Sequence, residues 1–458
     1  MRELNKIKII YFIGIGGIGM SALARYFKAK GARVSGYDKT PTPLTDKLIK
    51  EGIDVHFDEN VKAIPGNVEL VVYTPAVPKE NRELIYLKKN GYNIMKRSEI
   101  LAEVVNDTFT IAVSGTHGKT TITSMIAHIL KVAGKDVMAF IGGIAKNYNS
   151  NLILSGKNSI SVVEADEYDR SFLHLHPDIA LISAMDADHL DIYGEKNYMV
   201  ESFTLFAKQI RKNGKLFLKK GLKLADDKIK SHSYSAKLKS NFRADEIIVK
   251  EGVFYFTLHF PGNKKINIKA GVPGYHNAEN AVAAAAVAYE TGVSPAIIKR
   301  ALENYKGVLR RFDYRINEKE LVFIDDYAHH PEEIIACLNA ARDLYPSKKI
   351  TGIFQPHLYT RTRDLADGFA ESLAMLDELI LLDIYPAREL PIKGITSEML
   401  LRKIKMKNKM VCTKENLIEE LIKRKLEVLI TIGAGDIDQL VPPIEKSLKN
   451  ILKIQKKY

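Results

Sequence analysis

Cysteine is scarce in this sequence, with only Cys337 and Cys412 among 458 residues. The two lie far apart in the chain, so they match neither the spacing of a metal site nor the pattern of a disulfide-rich domain. Two isolated thiols are typical of a protein from a reducing compartment, and we expect both to be buried.

Long apolar runs are also missing. No stretch approaches the roughly 20 apolar residues that a membrane-spanning helix requires. The chain opens with Met-Arg-Glu-Leu-Asn-Lys and enters an apolar strand at once. It therefore lacks the order of basic region, apolar stretch and small-residue cleavage site that marks a secretory signal. We expect a cytoplasmic protein without membrane insertion.

Acidic residues are fewer than basic ones, which leaves a formal net charge of +13. Basic proteins attract nucleic acids, membranes or acidic metabolites. The excess lysines lie in scattered stretches such as 212–239 and 446–457, without an aromatic RNA-binding signature or a helix-turn-helix pattern. We therefore expect no nucleic-acid partner, and the charge suits small anionic substrates equally well.

The chain alternates predicted strands with predicted helices in three successive blocks. They comprise residues 1–107, 108–307 and 308–458, with boundaries accurate to a few residues. Such alternation predicts an α/β fold built on parallel sheets. We expect a Rossmann-like N-terminal domain, a central P-loop ATPase-type domain and a Rossmann-like C-terminal domain. Residues 242–268 form an exception, because their short strands and turns suggest an antiparallel addition.

The strongest motif follows the predicted strand 108–113 and opens a predicted helix. It consists of Gly115, Thr116, His117, Gly118, Lys119, Thr120 and Thr121. Glycines let backbone N–H groups close around phosphates, and a helix start adds positive potential. Lys119 would reach the outer phosphates, and the Thr120 hydroxyl would coordinate Mg²⁺. Because Val113 stands where the standard pattern has glycine, the loop is a shortened variant, unlike that of an ordinary GTPase.

A second glycine cluster follows the first predicted strand. Its members are Gly14, Gly16, Gly17, Gly19 and Met20. These glycines permit a tight turn and the close approach of a diphosphate to a helix start. Asp38 ends the next strand, and Thr74 ends a later one. Alone the cluster would suggest an NAD oxidoreductase, but it specifies a diphosphate better than a nicotinamide. Two glycine loops therefore predict two phosphate-bearing ligands.

Acidic residues follow the next predicted strands of the central block. Glu164 ends the strand 159–164, beside the triphosphate motif, where a further Mg²⁺ ligand is expected. Asp166, Glu167 and Asp169 would be either ligands or solvated charges. His189 follows the strand 179–183 within an acidic cluster, and it would be a metal ligand or a structural histidine.

Further polar groups lie towards the end of the central block and in the third. His276 and Asn280 are four residues apart on one helical face, where imidazole and amide groups can bind an adenine edge. A capping role for Asn277 is the alternative. Arg311 and Asp325 offer phosphate-type and ribose-type contacts, and Arg361 follows a later strand.

This order of motifs resembles the Mur ligases over nearly the whole chain. The likeness is carried by the Gly-Thr-His-Gly-Lys-Thr-Thr motif, by His276-Asn277-x-x-Asn280, and by Arg311 followed by Asp325. The first glycine cluster and two third-block segments look like the alanine-adding member. Those segments are Asp-Asp-Tyr-Ala-His-His-Pro at 325–331 and Gln-Pro-His-Leu-Tyr-Thr-Arg at 355–361. Leu358 stands where that member usually has arginine, and Arg388 where we expect glycine.

The resemblance implies a first domain that holds a UDP-sugar, a central domain that binds ATP and Mg²⁺, and a third domain that closes over the nucleotide. It implies ligation of L-alanine to the lactyl carboxylate of UDP-N-acetylmuramate through an acyl phosphate, in peptidoglycan precursor synthesis. A sister ligase that adds a peptide to the same acceptor is the alternative. We expect a monomer or a homodimer.

The residue roles that the resemblance implies are these. Thr120, Glu164 and His189 would bind the metal, and Lys119 would act on ATP. The nucleotide would also contact His276, Asn280, Arg311 and Asp325. The UDP-sugar would lie on the first glycine cluster with Asp38 and Thr74, and Arg361 would hold the carboxylate of alanine.

Overall fold

The computed structural model describes residues 4–154, 156, 159–185, 196–387 and 389–455. One compact unit comprises the chain up to Asp245 together with Thr257–Ile268 and Glu279–Lys306. The second comprises Glu246–Phe256, Lys269–Ala278 and the chain from Gly307 onwards. The domain boundaries near 107 and 307 stay predictions, because one compact unit can contain more than one domain.

The first compact unit begins with a five-stranded parallel sheet in the order β3-β2-β1-β4-β5. Its strands are β1 (Ile9–Ile13), β2 (Arg33–Tyr37), β3 (Asp54–His56), β4 (Leu70–Tyr73) and β5 (Ile94–Lys96). Its helices are α1 (Ile18–Ala29), α2 (Pro43–Lys50), α3 (Arg82–Lys89) and α4 (Arg97–Val105). This is the strand order of a Rossmann-like domain, as predicted, and the order reverses beside β1, where such sheets bind ligands.

Strand β1 lies at the centre of this sheet because both of its faces are apolar. Ile10, Tyr11, Phe12 and Ile13 are all completely buried. A continuous apolar run is what a parallel strand covered by helices on both faces requires. The glycine cluster begins where this strand ends, and it lies at the carboxyl edge of the sheet.

A second sheet lies mainly in the first compact unit, although its residues 246–256 and 269 belong to the second. Its parallel part runs β13-β12-β11-β10-β6-β9-β7, and β8 pairs antiparallel with β7 at the edge. The strands are β6 (Phe109–Ser114), β7 (Val137–Ala145), β8 (Ser150–Ile153), β9 (Ile160–Glu164), β10 (Ile179–Ile182), β11 (Lys215–Lys219) and β12 (His232–Ser235). Three further strands are β13 (Phe242–Lys250), β14 (Val253–Phe260) and β15 (Lys264–Lys269). The helices are α5 (Lys119–Val132), α6 (Lys196–Lys208), α7 (Tyr275–Glu290) and α8 (Pro295–Glu303).

One asparagine ties the two sheets of this unit together. Asn151, on β8, is completely buried. Its amide nitrogen donates to the carbonyl of Ile18 at 2.6 Å and to the Ser21 hydroxyl at 2.9 Å. Its amide oxygen accepts from Arg25 at 2.5 Å. All three partners lie on α1, so the helix that follows the first glycine cluster is bonded to the sheet that carries the second.

The second compact unit is built on a six-stranded sheet in the order β16-β17-β21-β18-β19-β20. Its strands are β16 (Asp313–Asn317), β17 (Val322–Asp326), β18 (Ile350–Phe354), β19 (Glu378–Leu381), β20 (Lys409–Val411) and β21 (Val428–Ile432). Its helices are α9 (Pro331–Leu344), α10 (Tyr359–Asp364), α11 (Ala366–Leu373), α12 (Ser397–Lys403), α13 (Leu417–Ile422) and α14 (Val441–Gln455). The sheet is parallel except for β16, which pairs antiparallel with β17.

The two cysteines are buried in this second unit, as expected. Within the described ranges, no helix is both long enough and apolar enough to span a bilayer.

A buried histidine joins helix α5 to the turn between β7 and β8 and to the residue that follows α8. His128, on α5, is 5% exposed. Its Nδ1 lies 2.8 Å from the Tyr148 hydroxyl, and its Nε2 lies 2.5 Å from Oδ1 of Asn304. A neutral imidazole satisfies both contacts, because one nitrogen accepts and the other donates. Burial lowers the pKa of His128, although the hydrogen bond to Asn304 opposes this effect.

We predict that His128 makes the protein less stable in acid. Above about pH 6.5 the imidazole is neutral in both the folded and the unfolded chain. Below this pH the His128 imidazole is protonated more readily in the unfolded chain than in the folded protein. The free energy of unfolding therefore falls by up to about 1.4 kcal/mol per pH unit. His128→Gln should be less stable than the wild type at about pH 7.5, and the difference should shrink at about pH 5.5. Urea unfolding of both proteins at the two pH values measures their free energies of unfolding. The same difference between wild type and variant at both pH values would contradict the prediction.

Candidate active site

The first glycine cluster, Gly14–Met20, forms a tight turn held by the neighbouring strand. The backbone N–H groups of Gly14 and Ile15 donate to the carbonyl of Tyr37 at 2.8 and 3.0 Å. The N–H of Gly16 donates to Oδ2 of Asp38 at 2.7 Å. Asp38 therefore lies at the turn, as predicted, and in this structure its carboxylate fastens the loop.

The glycines of this turn make room for protein side chains as well as for a ligand. A Cβ on Gly14 would lie 2.8 Å from Cγ2 of Thr74, and one on Gly16 would lie 2.7 Å from Cγ2 of Thr45. A Cβ on Gly19 would lie 3.0 Å from a guanidinium nitrogen of Arg97. Thr74 is thus beside the loop, as predicted, and Arg97 is a cation that the sequence reasoning missed.

The two remaining members of the cluster differ in accessibility. Gly17 is the N-cap of α1, whose first turn has no side-chain cap. The N–H groups of the first turn of α1 would therefore be available to a diphosphate. The Met20 side chain is 1% exposed and belongs to the core. A ligand contact of Met20 would therefore be made by its backbone.

The central loop, Gly115–Thr121, connects β6 to α5. Gly115 has a φ of +127°, and a Cβ on it would lie 2.3 Å from Oγ of Ser183. Gly118, the N-cap, has a φ of +83°, so it also favours glycine. Lys119, Thr120 and Thr121 form the first turn of a 14-residue helix without a side-chain cap. This is the uncapped, positively polarised helix start that the motif predicts for a phosphate group.

Lys119 turns back over this loop. Its ammonium donates to the carbonyl of Gly115 at 2.8 Å and to both carboxylate oxygens of Glu167 at 2.8 and 2.9 Å. Glu167 is completely buried. The interpretation of Glu167 as a solvated charge is therefore wrong, and the structure makes it the ion-pair partner of the lysine of the central loop.

The predicted metal ligands Thr120, in the first turn of α5, and Glu164, at the end of β9, contact each other. Oγ1 of Thr120 donates to Oε2 of Glu164 at 3.1 Å, and the backbone N–H of Gly142 donates to Oε1 at 2.5 Å. A hydroxyl and a carboxylate are hard oxygen donors of the kind that Mg²⁺ prefers, with phosphates and water completing its shell. These two residues therefore fit the metal. His189 lies outside the described residues.

Charges in this region favour a bound cation and a protonated lysine. Burial lowers the pKa of Lys119, but the carboxylates of Glu167, Asp166 and Glu164 outweigh it, and the net pKa lies above the ordinary value. Burial raises the pKa of Glu164, against the hydrogen bond from Gly142 and the charge of Lys119. A buried carboxylate of this kind gains stability when a metal ion compensates its charge.

The residues predicted to contact adenine lie at the start of α7. Asn280 contacts the central loop at Gly118. If Gly118 carried a Cβ, this atom would lie 2.8 Å from Oδ1 of Asn280. His276 and Asn280 are separated by one helical turn, as the sequence predicts. Asn277 lies inside the helix and donates from its amide to the carbonyl of Pro273 at 2.6 Å. It therefore does not serve as the N-cap.

In the second compact unit, Asp325 is 2% exposed at the end of β17. Its oxygens accept from the Thr431 hydroxyl at 2.8 Å and from Nε of Arg310 at 3.2 Å. Burial raises the pKa of Asp325, and Arg310 opposes the rise. The guanidinium of Arg311 lies 5.1 Å over the ring of Tyr327. Both Arg311 and Asp325 are thus held by groups of their own unit, and their nucleotide contacts stay predictions.

Arg361 belongs to a cluster of rings at the carboxyl edge of the same sheet. Its guanidinium lies 3.4 Å from Nδ1 of His357. The His357 ring stacks on Tyr385 with centroids 5.7 Å apart and meets His329 edge-on at 6.3 Å. These residues follow β17, β18 and β19, so one edge of the sheet brings together an arginine, two histidines and a tyrosine.

A buried glutamine that the sequence reasoning missed supports this edge. Gln355 is completely buried after β18. Its Oε1 accepts from the N–H of Ile437 at 2.8 Å, and its Nε2 donates to Asp436 at 2.8 Å. Lys414 completes the network with two contacts of 2.6 Å to Asp436. The Gln-Pro-His segment was itself a signal, because it directly follows a predicted strand.

Comparisons with known proteins agree with this architecture in all three parts of the chain. The family model described as Mur ligase family, catalytic domain matches residues 9–108. The Mur ligase middle domain matches 113–288, and the Mur ligase, glutamate ligase domain matches 310–436.

Individual relatives match over nearly their full length. A UDP-N-acetylmuramate–L-alanine ligase of Flavobacterium johnsoniae is 50% identical over 97% of this chain and 99% of its own. One of Flavobacterium psychrophilum is 51% identical with the same coverage. The crystal structure of the UDP-N-acetylmuramate-alanine ligase of Thermotoga maritima superposes with a TM-score of 0.85, at 28% identity over 97% of this chain and 99% of that one. From its matched domains and its full-length relatives, the chain belongs to the Mur ligase family.

Proposed function

We propose that the protein joins L-alanine to the lactyl carboxylate of UDP-N-acetylmuramate, at the cost of ATP, in peptidoglycan precursor synthesis. The observation that carries this proposal is the close relationship to proteins named for that reaction, at about half identity over 97% of the chain. Both ligands carry phosphate groups, which accounts for two glycine loops in one chain. The need for ATP favours the cytoplasm as its location.

The arrangement of the first compact unit supports two phosphate sites with separate tasks. The first cluster would hold the diphosphate of the UDP-sugar at the start of α1, and the central loop would hold the triphosphate at the start of α5. Asn151 bonds α1 to the central sheet, which keeps the two loops in a defined relation. Such positioning converts a reaction between two bound substrates into an effectively unimolecular step.

In the proposed reaction, a lactyl carboxylate oxygen attacks the γ-phosphorus of ATP, and ADP leaves with the electrons of the broken P–O bond. The product is an acyl phosphate. The amine of L-alanine then attacks its carbonyl carbon, loses a proton and expels inorganic phosphate, which leaves an amide. Lys119 would stabilise negative charge on the transferring group. Mg²⁺, held by Thr120 and Glu164, would supply further charge neutralisation when bound.

The carboxylate of L-alanine would bind to the edge of the second compact unit that carries Arg361. A guanidinium suits a carboxylate because its N–H groups match the two oxygens. The backbone of this segment is held by Glu389, whose Oε2 accepts from the N–H of Thr360 at 3.0 Å. This contact keeps the start of α10, and with it Arg361, in place.

A sister ligase that transfers a peptide to the same acceptor is the second candidate. A murein peptide ligase from Psychrobacter arcticus superposes with a TM-score of 0.73 over 97% of this chain, at 22% identity. That likeness extends to the fold alone. The relatives at about half identity favour the single amino acid.

We predict that purified protein releases phosphate from ATP when it is given UDP-N-acetylmuramate, Mg²⁺ and L-alanine. A phosphate-release assay tests the assignment by replacing L-alanine with other amine substrates. These are glycine, L-serine and L-Ala-γ-D-Glu-meso-diaminopimelate. L-Alanine should have the highest kcat/KM. Faster turnover with the tripeptide would instead establish the sister activity.

We predict that Lys119→Ala lowers kcat at least about a hundredfold, because a cation aimed at the developing charge is lost. Binding of UDP-N-acetylmuramate, measured by calorimetry, should change little. Lys131→Ala is the matched control, since Lys131 lies in the last turn of the same helix. Retained turnover in Lys119→Ala would refute the role of this lysine.

A further inference from the structure

The completely buried carboxylate of Glu167 has a role that the proposed reaction does not yet explain. Both of its oxygens accept hydrogen bonds from the ammonium of Lys119, at 2.8 and 2.9 Å. The Lys119 side chain is 18% exposed, whereas that of Glu167 is 1% exposed. Lys119 can therefore be reached from solvent, whereas Glu167 lies on the interior side of the ion pair.

Burial makes this ion pair costly to separate. A buried carboxylate that loses the cation paired with it is left as an uncompensated charge. An ammonium, however, has three N–H groups, and one of them is sufficient to keep the charge of Glu167 compensated. The other two can turn from Gly115 and from the second carboxylate oxygen towards phosphate oxygens. The pair can thus persist when a triphosphate binds.

We propose that Glu167 is a positioning residue that holds the Lys119 ammonium at the central loop both before and after ATP binds. This inference rests on the proposed function, because it assigns Glu167 to the phosphoryl transfer proposed above. A lysine side chain has four rotatable bonds, and an unanchored ammonium samples many positions. Anchoring by Glu167 restricts the cation to the place where charge develops on the transferring group. Loss of the anchor should therefore lower kcat more than it changes the KM for ATP.

Asp166 provides a matched control from the adjacent position. It also raises the pKa of Lys119 through its charge, but the hydrogen bonds from the ammonium go to Glu167. Its Oδ2 lies 3.8 Å from the Arg97 guanidinium, and its side chain is 40% exposed. Glu167→Gln and Asp166→Asn each remove one negative charge near the loop. Loss of one negative charge should change the affinity for ATP similarly in both variants, so this effect cancels when the two variants are compared.

The experiment measures kcat and the KM for ATP in both variants and the wild type, with the full-length protein. Equilibrium binding of Mg²⁺-ATP by calorimetry gives a second readout that requires no ligation, and thermal unfolding verifies that each variant is folded. We expect Glu167→Gln to lower kcat at least about tenfold relative to Asp166→Asn, with ATP affinities of the two variants within about threefold.

Two results would overturn the inference. Equal kcat values in the two variants would show that the hydrogen bonds to Glu167 do not matter for transfer. ATP binding at least about tenfold tighter in Glu167→Gln than in Asp166→Asn would show that Glu167 withholds the lysine from the nucleotide. Failure of the proposed function is distinguishable from both, because the wild type would then release no phosphate with UDP-N-acetylmuramate and L-alanine.

Discussion

The parallel pairing of β6 with β9 on one side and β10 on the other decides where chemistry can occur in this protein. Parallel strands end at the same edge of a sheet. Strand β6 therefore delivers the central loop, β9 delivers Glu164, and β10 delivers Ser183 to a common place. Residues from three separate sequence segments meet there because the backbone hydrogen bonds set the register, and the contacts of Lys119 and Thr120 follow from it.

Much of this edge could be predicted from the sequence, because each of its motifs directly follows an apolar strand. The central loop and Glu164 were found in this way at this edge, and Asp38 was found in the same way in the first sheet. The structure places each of them at a strand end. The Rossmann-like order of the first sheet also follows from alternating strands and helices. The local sequence is sufficient to predict the position of these motifs, because the apolar strand before each motif also determines its place in the fold.

Other features depend on contacts outside their own segment and could not be predicted. Glu167 stands among other acids and looks solvated, yet it is completely buried against Lys119. Strand β16 was missed because its polar sequence, Asp-Tyr-Arg-Ile-Asn, lacks the apolar pattern of the parallel strands and depends on antiparallel pairing with β17. Gly19 suggests room for a ligand, but the space at its missing Cβ is taken by Arg97. For Glu167 and Gly19 a residue far away in sequence decides the outcome, and for β16 the strand that follows it does.

The buried Asn151 has a consequence for which sugar nucleotides the protein would accept. Its bonds to Ile18, Ser21 and Arg25 join the first glycine cluster to the sheet of the central loop within one compact unit. In the proposed reaction the protein sets the separation of the two loops, so the length of the ligand would decide whether its carboxylate arrives at the γ-phosphoryl group. A nucleotide with a shorter arm between diphosphate and carboxylate would bind at the first loop and stop short of the second. Substrate selection would then reside partly in an asparagine that is completely buried.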